Sequence, residues 1–169
     1  MTNSGFFVPA LLFIFVLIAA PASAGSAVYY LFRHAEKVAD VKDPGLTGEG
    51  KARARYLVEF FKDKGVTDIF SSDYIRTRET VAPLSEATGI PVEIYDPRDL
   101  EGFASQLREL EGVIVISGHS NTTPELTALL TGQETEPMGE SEYGRLYEVH
   151  IGENGETTLM VLAQDVAVE

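Results

Sequence analysis

The chain reads as an α/β protein: a three-layer sandwich with a mostly parallel central sheet and a C-terminal antiparallel hairpin. Three observations predict this. Short apolar runs rich in β-branched and aromatic residues, Val28–Phe32 and Val113–Ile116 among them, read as buried strands. Stretches with helical periodicity and capping residues alternate with them, and such alternation builds a sheet covered by helices. Finally, Arg145–Ile151 and Glu156–Ala163 flank Gly152-Glu153-Asn154-Gly155 as a hairpin would.

Residues 1–24 stand apart because they carry no charged side chain. Phe6–Ala20 is an apolar run of 15 residues, short of the ~20 that a membrane span needs. Pro21 breaks it, and Ala22-Ser23-Ala24 fits the small-residue pattern before a cleavage point. The expectation is an export signal over residues 1–24, one domain over 25–169, and a periplasmic or secreted protein. No Lys or Arg precedes the apolar run, so an uncleaved membrane anchor is the alternative and a buried core helix the third reading.

The remaining elements follow in order. Val28–Phe32 ends in Arg33-His34-Ala35-Glu36, and a polar loop leads to Thr47, which can cap a helix over Gly48–Lys64 closed by Gly65. On that helix Ala54, Leu57 and Phe61 share the apolar face, and Lys51, Arg55, Glu59 and Lys62 the polar one. Asp68–Ser71 is a short strand, and a helix from Tyr74 should kink or split at Pro83. Pro91–Ile94 is a third strand. Asp96-Pro97 reads as a cap and first helical position before Leu100, Phe103, Leu107 and Leu110. Val113–Ser117 is apolar enough for a central parallel strand, and Thr123-Pro124 opens a short helix. Gly132–Gly144 reads as an acidic surface loop.

A formal net charge of −13 and a pI near 4.6 argue against nucleic acid and against an anionic membrane surface. With no cysteine, thiol chemistry and Cys-ligated zinc are excluded. Two of the three histidines follow core strands at their C-terminal tips, where open α/β sheets place ligands. Arg76, early in its helix, should reach the same edge. Arg33, His34, Arg76 and His119 together suit a tetrahedral dianion, since guanidiniums present forked donors. Asn121 and the amides around Thr122 and Thr123 could add donors at a helix start. An imidazole attacking a phosphoryl group in line gives a phosphohistidine, with protein cations supplying the positive charge, so no metal or other cofactor is expected.

Arg33-His34-Ala35-Glu36, Leu46-Thr47-x-x-Gly50, Ser71-Ser72-x-x-x-Arg76-x-x-x-Thr80 and Gly118-His119-Ser120-Asn121 occur in that order. This set resembles the histidine phosphatase (phosphoglycerate-mutase-like) superfamily over essentially all of residues 25–169. The resemblance implies that His34 is the phosphorylated nucleophile, that Arg33, Arg76 and His119 complete the pocket, and that the substrate is a small phosphoester. Ala35 stands where many members have glycine. The family's general acid, a carboxylate, has no clear motif; Asp99, Glu101, Asp96 and Glu36 are the candidates. Arg76 and His119 lie 43 residues apart, which leaves little room for a capping insertion and favours hydrolysis over mutase chemistry. A non-catalytic phosphate-binding protein and a phosphoglycerate mutase are the alternatives.

Other features have plainer readings. Gly45–Ala52 nearly spells a phosphate-binding glycine loop, but Ala52 replaces the hydroxyl such a loop needs. His150 reads as structural or exposed, Lys37 and Arg78 as solvated charges, and Arg76 could instead pair with a structural aspartate.

Overall fold

The computed structural model describes residues 25–164, so the export segment read at residues 1–24 lies outside them. Four parallel strands, β1 (Ala27–Arg33), β2 (Val66–Ser72), β3 (Val92–Tyr95) and β4 (Gly112–Gly118), share a sheet with an antiparallel hairpin, β5 (Arg145–Ile151) and β6 (Thr157–Ala163). The order across the sheet is β3-β2-β4-β1-β5-β6. Helices α1 (Gly48–Phe61) and α2 (Ile75–Thr88) cover one face, and α3 (Leu100–Leu107) and α4 (Thr122–Thr131) the other. This is the mostly parallel three-layer sandwich that strand–helix alternation predicts.

Side chains of β1 alternate between the two layers. Tyr29 and Leu31 pack with Phe103, Leu107 and Leu126, while Tyr30 and Phe32 pack with Leu57, Phe61, Val81 and Leu84. A strand covered on both faces needs apolar residues at every position, which is why its sequence lacks alternation. Tyr29 is 1% exposed and satisfies its hydroxyl by donating to the Leu107 carbonyl at 2.8 Å.

Several boundaries differ from expectation, each for a local reason. α1 ends at Phe61 rather than Lys64, because the chain tightens into a turn before Gly65 takes its left-handed φ of 68°. α2 continues through Pro83 to Thr88 without splitting. α3 starts at Leu100 under Asp99, whose carboxylate accepts from the Gly102 amide at 3.0 Å. Asp96 and Pro97 instead form the preceding turn, with Asp96 bound to Arg98.

The site edge is built by the register of the two central strands. Arg33 pairs with Gly118, and the His34 amide extends the ladder by donating to the Gly118 carbonyl at 2.9 Å. A Cβ on Gly118 would lie 2.8 Å from Thr123 Oγ1 and 3.0 Å from the Tyr95 hydroxyl, so only glycine lets β4 turn there. At the start of α1, a Cβ on Gly50 would come within 2.2 Å of the Glu36 carbonyl. Of the glycines in the near-P-loop sequence, Gly50 therefore serves close packing of the helix start, whereas a Cβ on Gly48 would meet nothing within 4 Å.

Glu36 itself is held by Arg53, whose Nε lies 3.1 and 3.0 Å from its two carboxylate oxygens. Both side chains are nearly buried, at 12% and 11% exposed. Removing one partner of such a pair strands a charge in a low-dielectric setting. We expect Arg53→Met to cost about 3–5 kcal/mol in urea unfolding, and Arg53→Met with Glu36→Leu to recover most of it.

Candidate active site

The tips of β1 and β4 place Arg33, His34 and His119 side by side, and the first turn of α2 adds Arg76. The imidazoles of His34 and His119 meet edge to face with centroids 5.6 Å apart. An Arg76 amino nitrogen lies 3.4 Å from His119 Nδ1. All four side chains line one cavity of about 350 Å³, together with Lys37, Tyr74, Asn121, Thr122 and Glu140. The pocket is therefore a cluster of cations and imidazoles with one carboxylate, from Glu140, among the described residues.

Arg33 is 2% exposed, and its charge is satisfied by the backbone. One amino nitrogen donates to the carbonyls of Gly139 and Glu140, both at 2.9 Å, and of Glu142 at 3.2 Å. Tyr143 lies across the guanidinium at 4.3 Å from its ring centroid, and the Glu140 carboxylate sits 3.6 Å from the other amino nitrogen. Arg76 is flanked by the Tyr74 ring at 4.5 Å and by the Asp43 carboxylate at 3.5 Å. The aspartate pairing read as an alternative for Arg76 thus exists, and it coexists with a place in the pocket. Arg33 and Arg76 each retain a buried Nε with no hydrogen-bond partner among the described residues. Two guanidiniums lining one cavity are what an anion would pair with.

Hydroxyls and carbonyls orient the imidazoles. His34 Nδ1 lies 2.8 Å from the Ala35 carbonyl, which can only accept, so Nδ1 carries the proton and Nε2 keeps its lone pair. The Ala35 amide donates to Thr80 Oγ1 at 2.9 Å, and that hydroxyl donates to the Arg76 carbonyl at 2.7 Å. Thr80 of the sequence motif therefore ties the tip of β1 to α2. His119 Nε2 lies 2.8 Å from Ser72 Oγ, which donates onward to Thr77 Oγ1 at 3.1 Å. With its own proton committed, Ser72 accepts from Nε2–H, leaving Nδ1 of His119 facing Arg76.

Burial keeps both imidazoles neutral, and the nearby cations add to the effect. His34 is held down at about 3, first by desolvation and then by Arg33, Arg76 and His119, against an opposing pull from the Ala35 carbonyl. His119 is held down at about 4 by desolvation, then by Arg76 and Arg33.

The other candidate residues divide. Asn121 and Thr122 line the cavity, and Thr122 Oγ1 accepts from the His119 amide at 3.0 Å. Glu36 does not line it, being committed to Arg53. Asp99 and Glu101 line a neighbouring cavity that shares Pro97, Arg98, Asn121 and Thr122 with the first, and Asp99 is occupied as a helix cap. Asp96 pairs with Arg98. Lys37 lines the pocket, whereas Arg78 pairs with Asp73 and His150 with Glu148 on the hairpin.

Sequence reasoning missed the wall made by residues 139–143. The acidic loop is not simply solvated: Met138 is buried and its neighbours wrap Arg33. Its contacts span more than 100 residues along the chain, and no local pattern announces them. Tyr74 was read only as a helix residue, although its ring also meets His119 edge-on at 4.9 Å.

Comparison with known proteins accords with this geometry. The sequence pattern of the histidine phosphatase superfamily (branch 1) matches residues 29–100. The chain is 32% identical over 103 residues to a probable phosphoglycerate mutase GpmB of Shigella dysenteriae serotype 1 (strain Sd197), a match covering 57% of this chain and 44% of that protein. The chain thus spans less than half the length of the curated relatives it matches. Its fold superposes on the protein histidine phosphatase SixA complexed with tungstate with a TM-score of 0.67 at 18% identity, covering 81% of this chain and 97% of that one. It also superposes on a mycobacterial glucosyl-3-phosphoglycerate phosphatase with a TM-score of 0.64 at 14% identity, covering 83% and 100%.

The low proton affinity of the two imidazoles is directly measurable. Side-chain NMR resonances of His34 and His119 should stay fixed as pH falls from 8 to 5; titration of either near pH ~6.5 would remove the cationic, desolvated pocket. The unfolded chain takes up those protons below pH ~6.5 while the folded chain does not, so stability falls with pH toward 4. A His34→Gln variant should therefore lose less stability than the parent over that interval, as read by urea unfolding.

Proposed function

We propose that this chain, whose residues 29–100 match the histidine phosphatase superfamily (branch 1), hydrolyses a phosphomonoester through a phosphohistidine formed on His34. The observation that supports this most is the convergence of His34, His119, Arg33 and Arg76 on one cavity, with His34 Nε2 unprotonated. The phosphoryl group sits among the guanidiniums, which balance its charge as it spreads over the equatorial oxygens. Nε2 attacks phosphorus, the N–P bond forms, and the bond to the ester oxygen breaks. Glu140, in its carboxylic acid form, gives its proton to the departing alkoxide and is left as the carboxylate. It then takes a proton from the water that attacks the phosphohistidine, releasing phosphate and restoring His34. Ser72 and Thr77 hold His119 beside the phosphoryl oxygens, and the Ala35 carbonyl holds His34 in its nucleophilic tautomer.

Hydrolysis is favoured over transfer to a second hydroxyl because the pocket rim is wet. Arg98 and Glu140 at its mouth are exposed, and the short segment between Arg76 and His119 is consumed by the rest of α2, β3, α3 and β4. Water therefore reaches the phosphohistidine without displacing a lid.

His34→Ala should cut p-nitrophenyl phosphate turnover at least ~10³-fold with the fold retained by circular dichroism, and unchanged turnover would end the proposal. If the parent binds vanadate tightly by calorimetry but turns over no phosphoester, the chain is a phosphate-binding protein instead. Glu140→Gln should lose about 10²-fold on phenyl phosphate, whose leaving group needs a proton, and far less on p-nitrophenyl phosphate. Equal losses on both would make Glu140 a support for Arg33 rather than an acid.

A further inference from the structure

A second cavity, of about 590 Å³, adjoins the phosphate pocket and shares Ser120, Asn121 and Glu140 with it as common wall. Its character is different. Pro124, Ala128, Pro137 and Met138 give it an apolar lining, and Glu125 and Glu134 stand on its rim. No Lys or Arg lines it, and neither Glu125 nor Glu134 forms a salt bridge among the described residues. The first cavity, in contrast, is lined by Arg33, Lys37, Arg76 and Arg98. The two together form a trough that is cationic at one end and apolar and acidic at the other.

We infer that the second cavity receives the alcohol part of the substrate, and that this part is an apolar body ending in a positive charge. The inference rests on the phosphatase reading, which sets the phosphoryl group in the first cavity. A phosphomonoester fixed there must direct its alcohol part out of the cation cluster, and the adjoining cavity is large enough for an aryl- or branched alkyl-sized group. Burying apolar atoms against Met138, Pro124 and Ala128 favours such a body over a sugar or a glycerate. Glu125 and Glu134, without salt-bridge partners among the described residues, attract an ammonium in this cavity and repel a carboxylate, so the substrate is a zwitterion matched to the trough. Discrimination against a carboxylate, by like-charge repulsion, contributes as much as attraction of the cation.

Benzylphosphonate and its para-aminomethyl and para-carboxy derivatives test this by calorimetry, since phosphonates bind without being hydrolysed. The aminomethyl compound should bind the parent about tenfold more tightly than the carboxy compound. In Glu125→Gln with Glu134→Gln the ratio should fall to about threefold or less. In Glu153→Gln with Glu156→Gln, the same charge change on the hairpin turn, it should stay near tenfold. Equal affinity of all three phosphonates overturns the inference. So does a preference untouched by the first pair of substitutions, or one lost equally with the second, which would assign it to the net charge of the chain. If neither the phosphonates nor inorganic phosphate binds, the phosphate pocket itself is wrong and the second cavity loses its role with it. That outcome is distinct from equal binding, which leaves the pocket standing.

Discussion

A guanidinium that is 2% exposed must be surrounded by acceptors, and the solution for Arg33 organises the pocket. Its acceptors are carbonyls of a loop more than 100 residues away, backed by the Tyr143 ring. Because β5 runs antiparallel to β1, with Leu146 opposite Phe32, the segment leading into β5 necessarily arrives at the carboxyl end of β1. The hairpin thus does more than extend the sheet: it delivers the wall that makes a buried cation tolerable. The same burial that demands this wall also partly desolvates the His34 and His119 rings, so one arrangement accounts for the charged arginines and for the lowered proton affinity of the histidines.

The second layer of order comes from small hydroxyls. Ser72, Thr77, Thr80 and Thr122 are buried, and each is hydrogen-bonded to a pocket side chain, to its backbone or to a residue that orients it. A hydroxyl both donates and accepts, so a chain of them assigns a direction to every proton. Directionality is what distinguishes two superficially alike imidazoles. His34 is locked with Nδ1 protonated and Nε2 free, whereas His119 is locked the other way, with Nδ1 toward Arg76.

Much of the fold was legible because its signals are local. The unbroken apolar runs of β1 and β4, the Thr47 cap and the glycine-centred hairpin turn each act within a few residues, and each element appears where they place it. The start of α3 was misplaced because Asp96-Pro97 and Asp99 are competing caps three residues apart, and turn geometry rather than residue preference selects between them. Pro83 was expected to kink or split α2; the helix does not split there, and it packs Val81 and Leu84 into the core on either side of the proline. Packing there outweighs the single hydrogen bond that proline forfeits.

The pocket was legible in part, for a related reason. Residues at strand tips and helix starts take their position from the element that carries them, so Arg33, His34 and His119 could be gathered from sequence order and strand–helix alternation, and Arg76 with the help of the motif resemblance. Glu36, Asp99 and Glu101 could not be ranked, because whether a carboxylate faces a cavity or an arginine is decided by what else packs beside it; here Arg53 takes Glu36 and the α3 amides take Asp99. Glu140 and Tyr143 lie in a stretch with neither periodicity nor caps, and only the antiparallel return of β5 brings them to Arg33. The amino-acid sequence by itself thus determined the layers and the four groups at their edge, through short-range propensity, hydrophobic pattern and the ordered motifs. Tertiary structure alone decided which carboxylate joins them and which imidazole nitrogen is free, because those depend on hydrogen bonds and ion pairs between segments far apart along the chain.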